Sequence, residues 1–208
     1  MRYLFPVLIL GLFFILIPDQ GYTNSNGAPA NRVGAPTRAG DGATCATSGC
    51  HDSFGLNTGS GTLSIAVPTD FAPGDTVDIT VRIEQTNGQR FGFQATVRGA
   101  SDPVRSQGEI LLGSGTKFSD ALGEYISHSQ AIRNAGSAEW TFQWVAPNEP
   151  QELIVYAAAL GGNNNGNRTG DRVYTASTEF AVGTSTESFS TPESFSLEAA
   201  YPNPFNSL

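Results

Sequence analysis

The chain of 208 residues has a single lysine, Lys117, and 11 basic residues in all against 19 acidic ones, a formal net charge of −8. No basic cluster breaks that balance, which excludes nucleic acid as an expected partner. The acidity favours solubility and carries no information on the fold. The only methionine is Met1, and the only histidines are His51 and His128. The chain also lacks the short signatures of common catalysts. There is no G-x-S-x-G setting for a nucleophilic serine, no H-E-x-x-H zinc helix and no phosphate loop. An enzyme is therefore not expected. No internal repeat is visible.

Long apolar runs are confined to the N-terminus. Met1–Gln20 reads as a secretory signal: Arg2 supplies the positive start and Leu4–Ile17 the apolar stretch. That stretch is short for a membrane span, which needs about 20 apolar residues. No cysteine follows it closely, so a lipid anchor is not expected. The signal is assigned to 1–23, and the mature chain is expected to be secreted, extracellular or on the outer cell surface, without a membrane span.

Glycine (24) and proline (12) are plentiful, which favours short strands and many turns over helices. "TVDITVRIE" alternates, with Val77, Ile79, Val81 and Ile83 on one side. "FGFQATVR" places Phe91, Phe93, Ala95 and Val97 on one side, and "EWTFQWV" does the same with Trp140, Phe142 and Trp144. Such period-two patterns predict half-buried strands, and the aromatic stripe reads as core. "ELIVYAAAL" is apolar almost throughout, as expected of a strand covered on both faces. "VYTASTEFAV" and three weaker stretches, Thr62–Val67, Glu109–Leu112 and Glu124–Ser127, complete the set. Turn signals at "APGD", "TNGQ" and "APNEP" separate the strands. The expectation is all-β: an immunoglobulin-like antiparallel β-sandwich of about seven to eight strands. A flexible, extended segment, 24–60, precedes it.

Both cysteines lie in that segment, in "GATCATSGCHDS". Cys45 and Cys50 have four residues between them, and His51 follows directly. Three chemistries suit this set. In an oxidising compartment the cysteines can pair as a disulfide. Such a short loop stabilises little, below the ~3 kcal/mol assigned to a 15-residue loop. Alternatively, two thiols and an adjacent imidazole are what covalent attachment of a c-type haem requires. CxxCH is the usual spacing, and the two extra residues here can bulge out without moving His51. Met1 leaves with the signal, so a methionine ligand is excluded and His128 becomes the expected second ligand to the haem iron, the alternative being a vacant or weakly held sixth position. The third option is a zinc-type site of Cys45, Cys50, His51 and His128. His128 also has a plain reading as a buried, hydrogen-bonded histidine.

The stretches "APGDTVDITV", "FGFQATVRG", "ISHS", "WTFQWVAP" and "YAAALGGNNNGNRTGDRVY" resemble a Reeler-type domain, an immunoglobulin-like sandwich of extracellular proteins. The resemblance spans 61–183 and includes a histidine at the position of His128. It implies a bacterial secreted form in which a CxxCH-like motif precedes the sandwich, here with the longer spacing. After a Ser/Thr-rich linker, 184–197, the residues "LEAAYPNPFN" resemble the opening of the C-terminal sorting domain of type IX secretion. The stretch 198–208 is too short to complete it.

The expected function is then a secreted sandwich binding one covalent haem c, for electron transfer or haem binding, with an extracellular redox partner. The alternative is a cofactor-free binding or adhesion module for a surface or matrix ligand, with a Cys45–Cys50 disulfide. One further candidate is the loop "GGNNNGNRTGD". Asn163, Asn165, Asn167 and Asp171 offer oxygens for Ca²⁺, although Asn and Gly also suit a long hairpin loop.

Overall fold

The computed structural model describes residues 24–183. The signal (1–23), the linker (184–197) and the sorting-like tail (198–208) lie outside the described residues. Those described form ten strands: β1 Thr62–Ala66, β2 Thr76–Glu84, β3 Arg90–Gly99, β4 Glu109–Leu111, β5 Thr116–Phe118, β6 Ile126–His128, β7 Ile132–Arg133, β8 Ser137–Val145, β9 Gln151–Gly162 and β10 Arg172–Val182. None of the described residues forms a helix long and apolar enough to cross a membrane.

The strands make two antiparallel sheets. One runs β1-β2-β8-β4; the other runs β10-β9-β3-β6-β5, with β7 added on β3. Between them lies the core. Ile79, Val81 and Ile83 of β2 and Trp140, Phe142 and Trp144 of β8 meet Phe91, Phe93, Ala95 and Val97 of β3 and Leu153, Val155, Ala157 and Ala159 of β9. Phe93 stacks on Trp140 with ring centroids 4.6 Å apart. Each large side chain buried here contributes about 1.5–3 kcal/mol relative to exposure. The alternation in the sequence therefore becomes the inner face of a β-sandwich.

Three details differ from the expectation. Strands β5 and β7, with 3 and 2 residues, are too short to show any period. Strand β6 starts at Ile126 rather than Glu124, because the Asp120 carboxylate accepts the N–H groups of Glu124 (3.3 Å) and Tyr125 (3.0 Å) and holds them in a turn. Lastly, β3 is buried on both faces from Phe91 to Gly99. Its outer face, Gly92, Gln94, Thr96 and Arg98, lies under other parts of the chain.

Part of that cover is the N-terminal segment, expected to be an extended, flexible lead-in. It is docked. Gln94 accepts the Arg32 N–H at 2.7 Å and donates to the Pro29 carbonyl at 2.8 Å. Val33 and Ala35 form a small apolar cluster with Tyr125, against which Ala30 and Tyr156 pack. A bridge between Val33 and Thr44 then turns the chain back. A single buried glutamine, matched on both its oxygen and its nitrogen, anchors a segment that has no apolar period of its own.

Candidate functional site

The docked segment leads into the cysteine loop. Two successive turns shape it: Thr47 N–H donates to the Thr44 carbonyl (3.1 Å), and Cys50 N–H to that of Thr47 (2.8 Å). The His51 N–H then donates back to the Cys45 carbonyl at 3.0 Å. Thr47, Ser48 and Gly49 stand out in solvent, while Cys45, Cys50 and His51 are half-buried. Gly49 takes φ 83, a left-handed conformation that glycine adopts without strain. The Gly49 N–H binds the Asp52 carboxylate, which holds that group below its ordinary range. The Gly49 carbonyl accepts from Arg168 at 2.6 Å, tying the loop to the β9–β10 connection.

Both cysteines are free thiols. Cys45 points its sulfur inward, toward the Arg32 carbonyl at 3.7 Å. Burial, and next the neighbouring Cys50, push the Cys45 thiol up to about 12. It is therefore a protonated, poorly nucleophilic thiol in the folded protein.

His51 is fixed from a distance in sequence. Its Nδ1–H donates to the Asp171 carboxylate at 2.7 Å, across 120 residues. Asp171 is 4% exposed, and its other oxygen accepts the Asn163 N–H at 3.1 Å. A neutral ring held this way carries its proton on Nδ1 and presents the Nε2 lone pair. A carboxylate behind a histidine is the arrangement that orients metal-ligating imidazoles.

Cys45, Cys50, His51 and His128 all line one cavity of about 290 Å³. Its apolar walls include Pro29, Ala131 and Leu160. His128 is buried, with Nδ1 within reach of the Phe93 N–H (3.1 Å) and the Phe93 carbonyl (3.2 Å). Burial lowers its proton affinity, so the ring is biased toward neutral; Phe93 and Asn24 backbone bonds oppose this, and the charges of Lys117 and Arg90 add to it. Gly92 makes room for the ring: a Cβ there would lie 2.5 Å from His128 Cε1. Arg32 also lines the cavity, and its Nε is buried without a hydrogen-bond partner.

The predicted residues are thus gathered in one place, although Asp171 serves differently from the calcium expectation. The loop oxygens are taken up internally. Asn163 Oδ1 accepts the Asn165 N–H, Asn165 Oδ1 the Asn167 N–H, and Asn167 Oδ1 the Thr169 N–H. A zinc-type quartet is not assembled either: among the described residues no three His, Cys, Asp or Glu side chains converge closely enough to hold a metal ion. Sequence reasoning missed Gly92, Gln94 and Arg32. A glycine inside a strand was the one available signal, since it marks a close approach.

No family model and no curated protein matches the chain. Among solved structures, the Reelin-N domain of F-spondin matches with 15% identity and a TM-score of 0.47, covering 64% of this chain and 94% of that one. The human F-spondin reeler domain (fragment 1) matches with 14% identity and a TM-score of 0.46, covering 62% and 94%.

Proposed function

We propose that this chain is an extracytoplasmic β-sandwich protein that carries one covalently attached haem in the cavity beside the cysteine loop. The observation that supports the reading most is the convergence of Cys45, Cys50, His51 and His128, drawn from two distant stretches, on one cavity. The residues suit the group. Leu160, Pro29 and Ala131 offer an apolar wall, Gly92 leaves the space that the His128 ring fills, and the orphaned Arg32 Nε awaits an acceptor. Cys45 and Cys50 would carry the thioether links. His51, held by Asp171, and the buried His128 would be the imidazoles available to the iron. A bound haem would supply one-electron chemistry, at a lower potential than a methionine-ligated one. The sandwich contributes a rigid frame and excludes water from the apolar wall.

The test is expression of the mature chain in a host with a haem-attachment system, followed by absorption spectroscopy and intact mass. A Soret band and a mass gain of one haem are expected, and the mass gain is lost in Cys45→Ala/Cys50→Ala. His128→Ala should change the axial-ligand bands while leaving the mass gain intact. A colourless protein from the competent host sinks the proposal.

A second reading has its own support. The His51 N–H to Cys45 carbonyl bond closes the loop tightly, which suits a Cys45–Cys50 disulfide in a cofactor-free module that binds a surface or matrix ligand. An intact mass two hydrogens below that of the reduced chain, without colour, would select it.

A further inference from the structure

A second hollow, lined by Ser25, Asn26, Arg90, Gln130, Ala131 and Arg133, adjoins the cavity. Ser25, Arg90 and Ala131 belong to both, whereas the cysteine loop contributes nothing to the second. Arg90 and Arg133 are direct cross-strand partners of β3 and β7. Like charges placed opposite each other destabilise a sheet. Neither guanidinium forms an ion pair or a side-chain hydrogen bond with any described residue, although carboxylates outnumber basic groups in the chain. The charge of Arg90 also reaches the buried His128. Two uncompensated arginines at the mouth of an apolar cavity call for a carboxylate, which arginine binds with two parallel hydrogen bonds.

Resting on the haem reading above, we infer that Arg90 and Arg133 form the carboxylate-binding end of this cavity and hold the propionate groups of the porphyrin. The macrocycle carries its vinyl groups and its propionates on opposite edges. Were haem linked through Cys45 and Cys50, its propionates would lie on the edge away from the cysteine loop, and Arg90 and Arg133 line the hollow to which that loop contributes nothing. The pair then has a reason to sit cross-strand: a dianionic edge turns their mutual repulsion into attraction.

The experiment separates this assignment from the reading it rests on. The Cys45→Ala/Cys50→Ala chain is titrated with haemin and with haemin dimethyl ester, followed by the Soret band. Haemin should bind at least about ten-fold tighter than the ester, from one or more charge-assisted contacts. Arg90→Gln/Arg133→Gln in that background should abolish the preference and leave ester affinity unchanged. Arg133→Gln alone, at an exposed position, should lower the preference about three-fold and keeps the test open should the double variant not fold. Equal affinities for the two porphyrins, no binding of either, or a preference that survives the double substitution overturns the assignment. The haem reading stands or falls separately, on the mass of the wild-type chain from the competent host.

Discussion

The two sheets have very different outer faces. The face of the β1-β2-β8-β4 sheet is bare: Asp78, Arg82, Glu84, Glu139, Thr141 and Gln143 alternate with the core residues and meet water. The face of the other sheet is roofed. There Gly92, Gln94, Thr96 and Arg98 are buried under the N-terminal segment and the turns around β6. Arg98 is 2% exposed, donates to the Val104 carbonyl at 2.9 Å and lies 4.9 Å from the Tyr125 ring centre. Thr96 donates to the Glu124 carbonyl at 2.7 Å. The bare face needs only polar side chains. The roofed face has to match its polar groups, because burial without a partner is costly, and Arg32 Nε and Arg98 Nε are the exceptions it carries. The candidate site lies under the roof, where a side chain can be held in one orientation.

The comparison can be broken most sharply with the thiol of Cys45. In protein made without haem attachment, a thiol at about 12 instead of 9.0 holds roughly a thousand-fold less thiolate at mildly alkaline pH. Alkylation of Cys45 should therefore be about that much slower in the folded protein than in urea. Its rate should climb about ten-fold per pH unit up to that value. The linked effect on stability has one sign. The unfolded thiol ionises first, so stability is full below 9.0 and is lost as pH rises toward about 12. Equal alkylation rates in folded and unfolded protein would show that the roof does not close over the sulfur.

Gly92→Ala is the next test. The added methyl carbon would lie 2.5 Å from the His128 ring, and overpacking of this kind costs about 1–3 kcal/mol. Urea unfolding should register that loss, and the His128 ring resonances should shift. An unchanged spectrum would mean that the ring has room to spare.

The last test sets a polar contact under the roof against one on the bare face. Asp171→Asn, under the roof, leaves one oxygen for two donors, the His51 Nδ1–H and the Asn163 N–H, and should cost about 1–3 kcal/mol. It should also move the proton from Nδ1 toward Nε2, visible in the ¹⁵N shifts of His51. Arg82→Ala breaks contacts to Glu84 (2.9 Å) and Glu139 (3.5 Å) on the bare face, and no measurable change in the unfolding midpoint is expected, since exposed pairs of this kind contribute little. Equal losses at both sites would erase the distinction between the faces.

The same distinction explains what could be read from the sequence. The inner faces were legible because Ile79, Val81, Ile83, Phe142 and Trp144 alternate with polar residues, and the inside of a sandwich requires that period. The cysteine–histidine set was legible by adjacency. The roof was not. Gln94 and Arg98 occupy positions that a period-two reading sends to solvent, and only tertiary contact reverses that. The pairing of His51 with Asp171 left no trace either, since no spacing rule joins residues so far apart. Short strands such as β5 and β7 are fixed by their neighbours rather than by their own composition.

The bond between His51 and Asp171 also sets a clock. It spans 120 residues, so it cannot form until the last strand is being made. At a synthesis rate of about 5–20 residues per second, the cysteine loop waits roughly 6–24 seconds for its partner. Throughout that wait the Cys45 sulfur stands in water, with an ordinary thiol's readiness to react. Folding then closes the window. Chemistry at Cys45 is therefore fastest on the chain before it folds, and the finished protein preserves its outcome.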